Sequence, residues 1–407
     1  MADAKAASAV TAKAADAAAT DFNSNKHDPT AMKTAIVILN WNTRHFLERF
    51  IPGLISSLKG DPMTGIIVAD NASDDGSVKF MKDNFPDVRT IAFDTNLGFT
   101  GGYNKAFEEI VTKGGNDAPE YFLLMNSDIE VEEGWLEPLV HWMDTHPECG
   151  ACAPKMRSWH NREKFEYAGA AGGYIDSFGY PFCRGRIMNK VEKDLGQYDH
   201  MNPCVFWASG ACLMVRSSVY AQTGGLDGRF FAHMEEIDLC WKMQLAGHSI
   251  CVVTGSTVYH VGGGTLPASS PFKLFLNYRN NLLMLDNNLA YTYALRHYKK
   301  SGDAQTAAEE GLREAASIIK IRMILDCLSA AAYLLTLRFK AFGAVRRAHR
   351  EFRKMRKQSD TDRLVTFLQS SHKAEVRYIY GRWIVLQAAL NGRDTFAGIH
   401  ETDFFKF

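Results

Sequence analysis

The segment Tyr121-Phe-Leu-Leu-Met-Asn-Ser-Asp128 constrains this chain more than any other. It is an apolar run of the right length for a buried strand, and it breaks into Asn126-Ser127-Asp128 where that strand should end. In open α/β sheets, ligands bind at the carboxyl ends of the strands. A carboxylate there is free to hold a divalent cation, because hard cations commonly use one or two protein carboxylates plus substrate phosphates. The same pattern also fits an ordinary strand-to-turn transition, so the other segments decide between the two.

Those segments repeat the design. Ala35-Ile-Val-Ile-Leu39 reads as a buried strand ending in Asn40-Trp41-Asn42, and Gly65-Ile-Ile-Val-Ala69 as a second ending in Asp70-Asn71. Helical periodicity runs over residues 46–58, with Pro52 as an interruption, and again over 77–85 and 103–113; residues 89–93 form a short third strand. Apolar runs alternating with helices imply a parallel sheet covered on both faces. A helix over 135–144 leads into a region, from about Gly150 to Gly264, richer in aromatic residues and glycine. Beyond Pro271 helical periodicity dominates, and residues 312–357 carry apolar positions with a strongly basic end.

A chain of 407 residues can bury a substantial core in more than one structural unit. Its 46 lysines and arginines balance 46 aspartates and glutamates, so no global basic field points to nucleic acid. The eight cysteines are scattered, and the CxxC of Cys149 and Cys152 lacks a second pair to complete a zinc site. Reduced thiols of a cytoplasmic protein are the expectation. Residues 1–31 form an Ala, Lys, Asp and Thr tract without the apolar core of an export signal, which reads as a disordered tail. The domain reading is therefore this tail, a catalytic-type domain over 32–270, and a C-terminal helical region over 271–407. The best membrane-span candidate, Cys327 to Leu337, is too short and is bounded by Asp326 and Arg338.

Four constellations carry candidate chemistry. Asp70 stands at a strand tip, where a carboxylate can accept hydrogen bonds from a ribose or a base, and Ser73-Asp-Asp-Gly76 is equally a capped turn. Asn96-Leu-Gly-Phe-Thr-Gly-Gly-Tyr-Asn104 opens a helix, and glycines at a helix N-terminus favour close approach to phosphate. The spacing is not GxGxxG, which disfavours a dinucleotide-binding fold. Glu235, Glu236 and Asp238 fall near a helix start, where acids are favourable for electrostatic reasons alone. Alternatively, one of them is a general base whose proton affinity is raised by desolvation and like-charged neighbours. His260, in Val258-Tyr-His-Val-Gly-Gly-Gly264, suits Mn²⁺-like ions if a metal-binding acid stands beside it.

In this order and spacing these stretches resemble the inverting family 2 glycosyltransferases, in particular the bacterial rhamnosyltransferase-like branch. Matching segments are ILNWN (38–42), DNASDDGS (70–77), NLGFTGGYN (96–104), LLMNSD (123–128), SGACLMVR (209–216), GGLDGRFF (224–231), EEIDLC (235–240) and VYHVGGGT (258–265). NYRNNLLML (277–285) resembles the segment that follows the catalytic domain in that branch. The resemblance implies an α/β GT-A nucleotide-diphospho-sugar transferase fold, a Rossmann-like mixed sheet flanked by helices, with a C-terminal helical extension. It implies a nucleotide pocket lined by Asn40, Asp70 and Asn71, and a nucleotide-sugar cradle shaped by Asn96, Gly98, Gly101 and Asn104. Asn126 would contact sugar or ribose, and Asp128 and His260 would hold a divalent cation, Mn²⁺ or Mg²⁺. Family members usually read Glu-Asp where this chain has Glu235-Glu236. By position Glu236 is the implied base, with Glu235 and Asp238 holding the site or the acceptor.

The implied reaction is one in-line displacement with inversion, from a deoxythymidine or uridine diphosphate sugar (dTDP-rhamnose among the candidates) to a glycan or lipid-diphosphate-linked acceptor in cell-surface polysaccharide synthesis. The chain lacks a QxxRW-like motif of processive synthases. Residues 318–357 read either as an amphipathic basic segment lying on the inner face of the cytoplasmic membrane or as packed helices with solvated basic faces. Two other classes compete. A sugar nucleotidyltransferase would carry a glycine-rich basic loop after the first strand, which Asn42-Thr-Arg-His45 matches poorly. A degenerate saccharide-binding scaffold would not need Asp128, Glu236 and His260 together.

Overall fold

The computed structural model describes residues 32–115, 118–262, 270–370, 373–390, 392 and 394–406. The alanine-rich tail and the last two glycines of the His260 motif lie outside the described residues.

The N-terminal domain is built on one sheet. Strands β1 (Thr34–Asn40), β2 (Thr64–Asp70), β3 (Arg89–Ala92) and β4 (Tyr121–Asn126) run parallel, with β1 between β2 and β4. Beyond β4 the directions mix. Strand β12 (Cys212–Arg216) is antiparallel to both β4 and β6 (Cys149–Ser158), and β13 (Ser249–His260) runs parallel to β6. The short β11 (Cys204–Val205) and β5 (Ile129–Val131) pair with the two ends of β13. The parallel sheet expected from periodicity is formed by β1 to β4, and beyond them the sheet is mixed, as the GT-A resemblance implies.

Successive side chains of a strand point to opposite faces, and both faces of this sheet are covered. Ala35 and Val37 enter one core with Tyr103, Phe107 and Ile110 of α3 (Gly98–Gly114). Ile36 and Ile38 enter the other with Leu47, Ile51 and Leu54 of α1 (Arg44–Ser57). Pro52 sits inside α1 without ending it. Helices α2 (Ser77–Asn84) and α4 (Glu137–Thr145) complete the flanks. Helix α3 starts at Gly98, well before the expected start at Tyr103. A Cβ on Gly102 would stand 2.6 Å from Leu39, so glycine here allows α3 to close onto β1 at the cost of visible helix propensity.

A second, smaller sheet lies beyond β6. Its strands are β7 (Gly173–Asp176), β8 (Pro181–Cys183), β9 (Arg186–Ile187), β10 (Lys190–Val191), β14 (Arg377–Tyr380) and β15 (Phe404–Lys406), in the order β10-β9-β8-β7-β14-β15. After the short α5 (Ser217–Gln222), α6 (Glu235–Leu245) packs against α7 (Pro271–Ser301), the first of a helical array with α8 (Ala304–Leu335), α9 (Phe339–Met355) and α10 (Thr361–Ser370). The C-terminal region is therefore not helical throughout. After α10 the chain returns to pair β14 in parallel with β7, and Asp176 accepts a hydrogen bond at 3.0 Å from the Ile384 amide at the start of α11 (Ile384–Leu390).

A chain ending at Ser370 would lose Val376, Ile379, Tyr380, Ile384 and Phe396, all buried. At about 1.5–3 kcal/mol for each buried side chain, that loss rivals the ~5–15 kcal/mol net stability of a typical domain. Such a truncation is expected to show no cooperative melt by circular dichroism. A sharp melt close to that of the full chain would contradict the packing.

Candidate active site

Strand tips, the start of α6 and the start of α7 surround a cleft of about 1170 Å³. Its floor is the turn after β4. Asn126 ends the strand and Asp128 begins the return into β5, which pairs antiparallel with the end of β13, His260 opposite Ile129. This register brings His260 Nε2 to 3.2 Å from Asp128 Oδ1, while the Gly262 amide donates to Asp128 Oδ2 at 3.1 Å. Asn126 Nδ2 stands 3.4 Å from the same ring nitrogen. The other nitrogen, Nδ1, lies 3.5 Å from Glu166 Oε1, a carboxylate that also accepts from the Ala168 amide and so holds the ring's orientation.

Burial works against charge at both members of this pair, and their mutual attraction outweighs it. Asp128 is held below the usual carboxylate range by His260 despite its burial. His260 is pushed up to about 10, against its burial, by Asp128 and then by Glu166.

The donors fit a divalent cation. Two ligands about 2.1 Å from one ion and at right angles are about 3 Å apart, close to the Asp128–His260 separation of 3.2 Å. One carboxylate with one imidazole suits a Mn²⁺-like ion. Among the described residues there is no group of three or more His, Cys, Asp or Glu side chains able to hold an ion, so further ligands would be substrate phosphate oxygens and water.

Glu235 and Glu236 begin α6. Glu235 is 4% exposed, and burial followed by the nearby Glu236 pushes its carboxyl well above the ordinary range. Glu236 lines the cleft, and burial raises its pKa to about 7 although backbone N–H groups at the helix start pull the other way. Asp238 is not in the cleft. It is fully buried on the far side of α6, 2.6 Å from Lys242 Nζ, and accepts from Asn287 Nδ2 at 2.8 Å and Asn288 Nδ2 at 2.7 Å. There it ties α6 to α7.

The other sequence-derived positions separate into wall and foundation. Asn71, Asn96, Gly98 and Asn126 line the cleft. Asn40 and Asp70 lie beneath it: Asn40 Nδ2 donates to Asp70 Oδ2 at 2.8 Å, and Asp70 Oδ1 accepts from the Ser73 amide at 2.8 Å. Asn104 donates to the Leu226 carbonyl at 2.7 Å and fastens the following loop to α3, while Gly101 packs on Leu97. These four do not reach the cleft wall.

Leading into Glu235 is a strained segment. Phe231, His233 and Met234 all have positive φ, at 66°, 71° and 71°. Left-handed backbone at non-glycine residues costs of order 1–3 kcal/mol each and persists only where the surroundings fix it. They do so here through α7. Asn280 Nδ2 donates to the carbonyls of Phe230, Ala232 and His233 at 2.9, 2.7 and 2.7 Å. Arg279 Nη2 donates to the carbonyls of Arg229 and Phe230 at 3.1 and 2.8 Å. Sequence reasoning gave these two no role, although adjacent polar residues at buried positions of an apolar helix are the signal that finds them. It also missed the aromatic pair at the cleft mouth, Phe231 and Phe272, 37% and 40% exposed with ring centroids 6.2 Å apart.

The sequence description of glycosyl transferase family 2 matches residues 35–201. The chain is 27% identical over 248 residues to N-acetylglucosaminyl-diphospho-decaprenol L-rhamnosyltransferase of Mycobacterium tuberculosis (strain CDC 1551 / Oshkosh), covering 55% of this chain and 75% of the relative. It is 23% identical over 203 residues to rhamnosyltransferase WbbL of Escherichia coli (strain K12), covering 50% and 75%. Among solved structures, GalNAc-T7 with UDP, GalNAc and Mn²⁺ is similar at a TM-score of 0.48 and 14% identity, over 74% of this chain and 58% of that one. With its mixed sheet and the Asn-Ser-Asp turn after β4, the chain has the GT-A fold; its residues 35–201 match glycosyl transferase family 2, and it is similar at a distance to bacterial rhamnosyltransferases.

Proposed function

We propose that this chain is a metal-dependent, inverting transferase that moves one rhamnosyl or other hexosyl residue from a nucleoside diphosphate donor to a lipid-diphosphate-linked saccharide. One observation carries the reading: a single cleft holds the Asp128–His260 pair and, on another wall, the carboxylate of Glu236, to which no side chain among the described residues donates a hydrogen bond. Glu236 takes the proton of an acceptor hydroxyl as that oxygen attacks the anomeric carbon. The bond to the diphosphate breaks on the opposite face, the diphosphate leaves with the electron pair, and the configuration inverts. A divalent ion held by Asp128 and His260 would neutralise charge on the departing nucleoside diphosphate. Asn71, Asn96 and Asn126 offer polar groups to the nucleotide and sugar, and the Phe231–Phe272 pair offers an apolar face to the acceptor. Holding both substrates in line is the larger part of the catalysis.

A lipid-linked acceptor is favoured because the mycobacterial relative is named for transfer to a diphospho-decaprenol-linked sugar. No helix among the described residues is long and apolar enough to cross a membrane. We place the protein on the cytoplasmic face, meeting its acceptor at the bilayer surface.

The test is nucleoside diphosphate release from a panel of sugar nucleotides with Mn²⁺, Mg²⁺ or EDTA, each donor's binding being read in the same samples. Release from one donor, abolished by EDTA and in Asp128→Ala, is expected. Neither release nor metal-dependent binding for any donor would favour a saccharide-binding scaffold. Glu236→Gln is expected to lower transfer by about 10²–10⁴-fold, the usual contribution of a general base, with donor affinity retained. Because the base must be ionised and its pKa is raised to about 7, transfer should rise as pH passes through that value and level off above it. A flat profile between pH 6 and about 8 would remove Glu236 from this role. Asn280→Ala should lower stability to denaturant by about 1–3 kcal/mol and reduce the turnover number more than donor affinity, because it releases the segment that sets Glu236.

A further inference from the structure

The outer face of α8 is unlike the surface of a protein that meets only water. From Ile321 to Leu335 every exposed residue is uncharged: Ile321, Ile324, Leu328, Leu334 and Leu335, with Cys327, Ala331 and Ala332 between them. Leu328 is 62% exposed and Leu335 84%. The corner into α9 continues the patch, with Leu337 73% and Phe339 61% exposed. Apolar residues scattered singly on a surface are ordinary, whereas a contiguous patch of this kind marks an interaction site. Its inner side is fully committed. Arg322 and Asp326 are buried there and paired at 2.9 Å, with Arg322 packed over Tyr180, so α8 has no freedom to turn the patch inward.

What adjoins the patch identifies its partner. Between residues 336 and 357 the chain has nine arginines and lysines and a single acid, Glu351. Arg346, Arg347, Arg350, Arg353 and Lys354 are exposed on α9, directly after the apolar corner. Exposed apolar side chains bordered by cations alone complement an anionic bilayer, whose tails accept the first and whose headgroups accept the second. A second copy of this chain would bring the same cations against themselves.

We propose that the outer face of α8, its corner into α9 and the arginine-rich face of α9 dock on an anionic lipid bilayer. The surface leads to the cleft. Arg347 lies 4.3 Å from the ring centroid of Phe275, Phe275 stacks at 6.0 Å on Phe272, and Phe272 lines the cleft mouth. Docking on this side sets the mouth beside the headgroups, where a lipid-diphosphate acceptor presents its sugar. Only this last step rests on the transferase reading.

Sedimentation of the full chain with vesicles tests the docking. Binding is expected to phosphatidylcholine vesicles containing phosphatidylglycerol, to fall with salt, and to be weak for phosphatidylcholine alone. The combined variant Arg346→Glu, Arg347→Glu and Arg350→Glu should lose binding by roughly a hundredfold or more, from about a fivefold contribution per cation. The variant Leu335→Asp with Leu337→Asp should lose at least about tenfold from removed apolar burial. Both variants alter exposed positions and should melt with the parent. Equal binding to neutral and anionic vesicles, or undiminished binding by both folded variants, would overturn the proposal. So would a dimer in solution that the leucine variant dissolves while vesicle binding is absent. Vesicle binding with neither nucleoside diphosphate release nor metal-dependent binding for any donor would leave the docking standing and remove the transferase reading. Transfer to a soluble acceptor without vesicle binding would do the reverse.

Discussion

Asn280 is the residue on which the active-site architecture depends. Its amide group satisfies three carbonyls of a backbone segment that no sheet or helix pairs internally. That segment in turn reaches both catalytic ends of the domain. The Phe231 carbonyl accepts from the amides of Phe99 and Thr100 at 2.7 and 3.2 Å, which satisfies donors that the start of α3 leaves open. Four residues on, the chain enters α6 with Glu235 and Glu236. One buried asparagine on α7 therefore fixes the glycine-rich start of α3 and the acids of α6 relative to one another. Left-handed backbone at Phe231, His233 and Met234 would relax without it, since each such residue carries a cost of order 1–3 kcal/mol.

The two charged parts of the cleft are built on opposite electrostatic plans. Asp128 and His260 are buried as a pair of opposite sign, so each holds the other charged. Glu235 and Glu236 are buried as neighbours of like sign, and burial is the larger effect on both. Such a pair does not ionise together readily. Glu235, the more deeply buried, is pushed well above the ordinary carboxylate range, and Glu236, open to the cleft, is raised to about 7.

How much of this was legible in the sequence follows from what periodicity can encode. β1, β2 and β4 stood out because strands buried on both faces are unbroken apolar runs. Strand direction did not, since a buried run reads the same in a parallel and an antiparallel neighbour, and β12 was invisible as the strand that reverses the sheet. β13 runs on to His260 through a register shift between Val253 and Thr257. The polar residues at that shift hid the continuation. Strands of the second sheet are two to four residues long, too short for any alternation to register. Helical geometry did contain the placement of Asp238. Residues three apart share a face, so Asp238 and Glu235 are both buried, Glu235 at the cleft edge, and Glu236, one position on from Glu235, faces the cleft. Asn40 and Asp70 illustrate a different limit. The motif places them at strand tips, but only the three-dimensional neighbours decide whether a polar tip meets ligand or, as here, its counterpart on the adjacent strand.

The helical region after residue 270 is tied into the cleft-forming segments rather than appended to them. Burying Arg279, Asn280, Asn281, Asp286 and Asn288 in one helix is a poor way to gain stability, because polar groups lose hydration that their new partners only repay. What such a set supplies is register. An apolar α7 could slide or rotate on α6 with little penalty, whereas one whose asparagines must reach particular carbonyls and Asp238 has a single seat. α8 and α9 pack on α7 and inherit that fixed position. Whatever the outer surface of α8 and α9 rests upon is consequently held at a defined distance and angle from Glu236, through rigid helices and one asparagine.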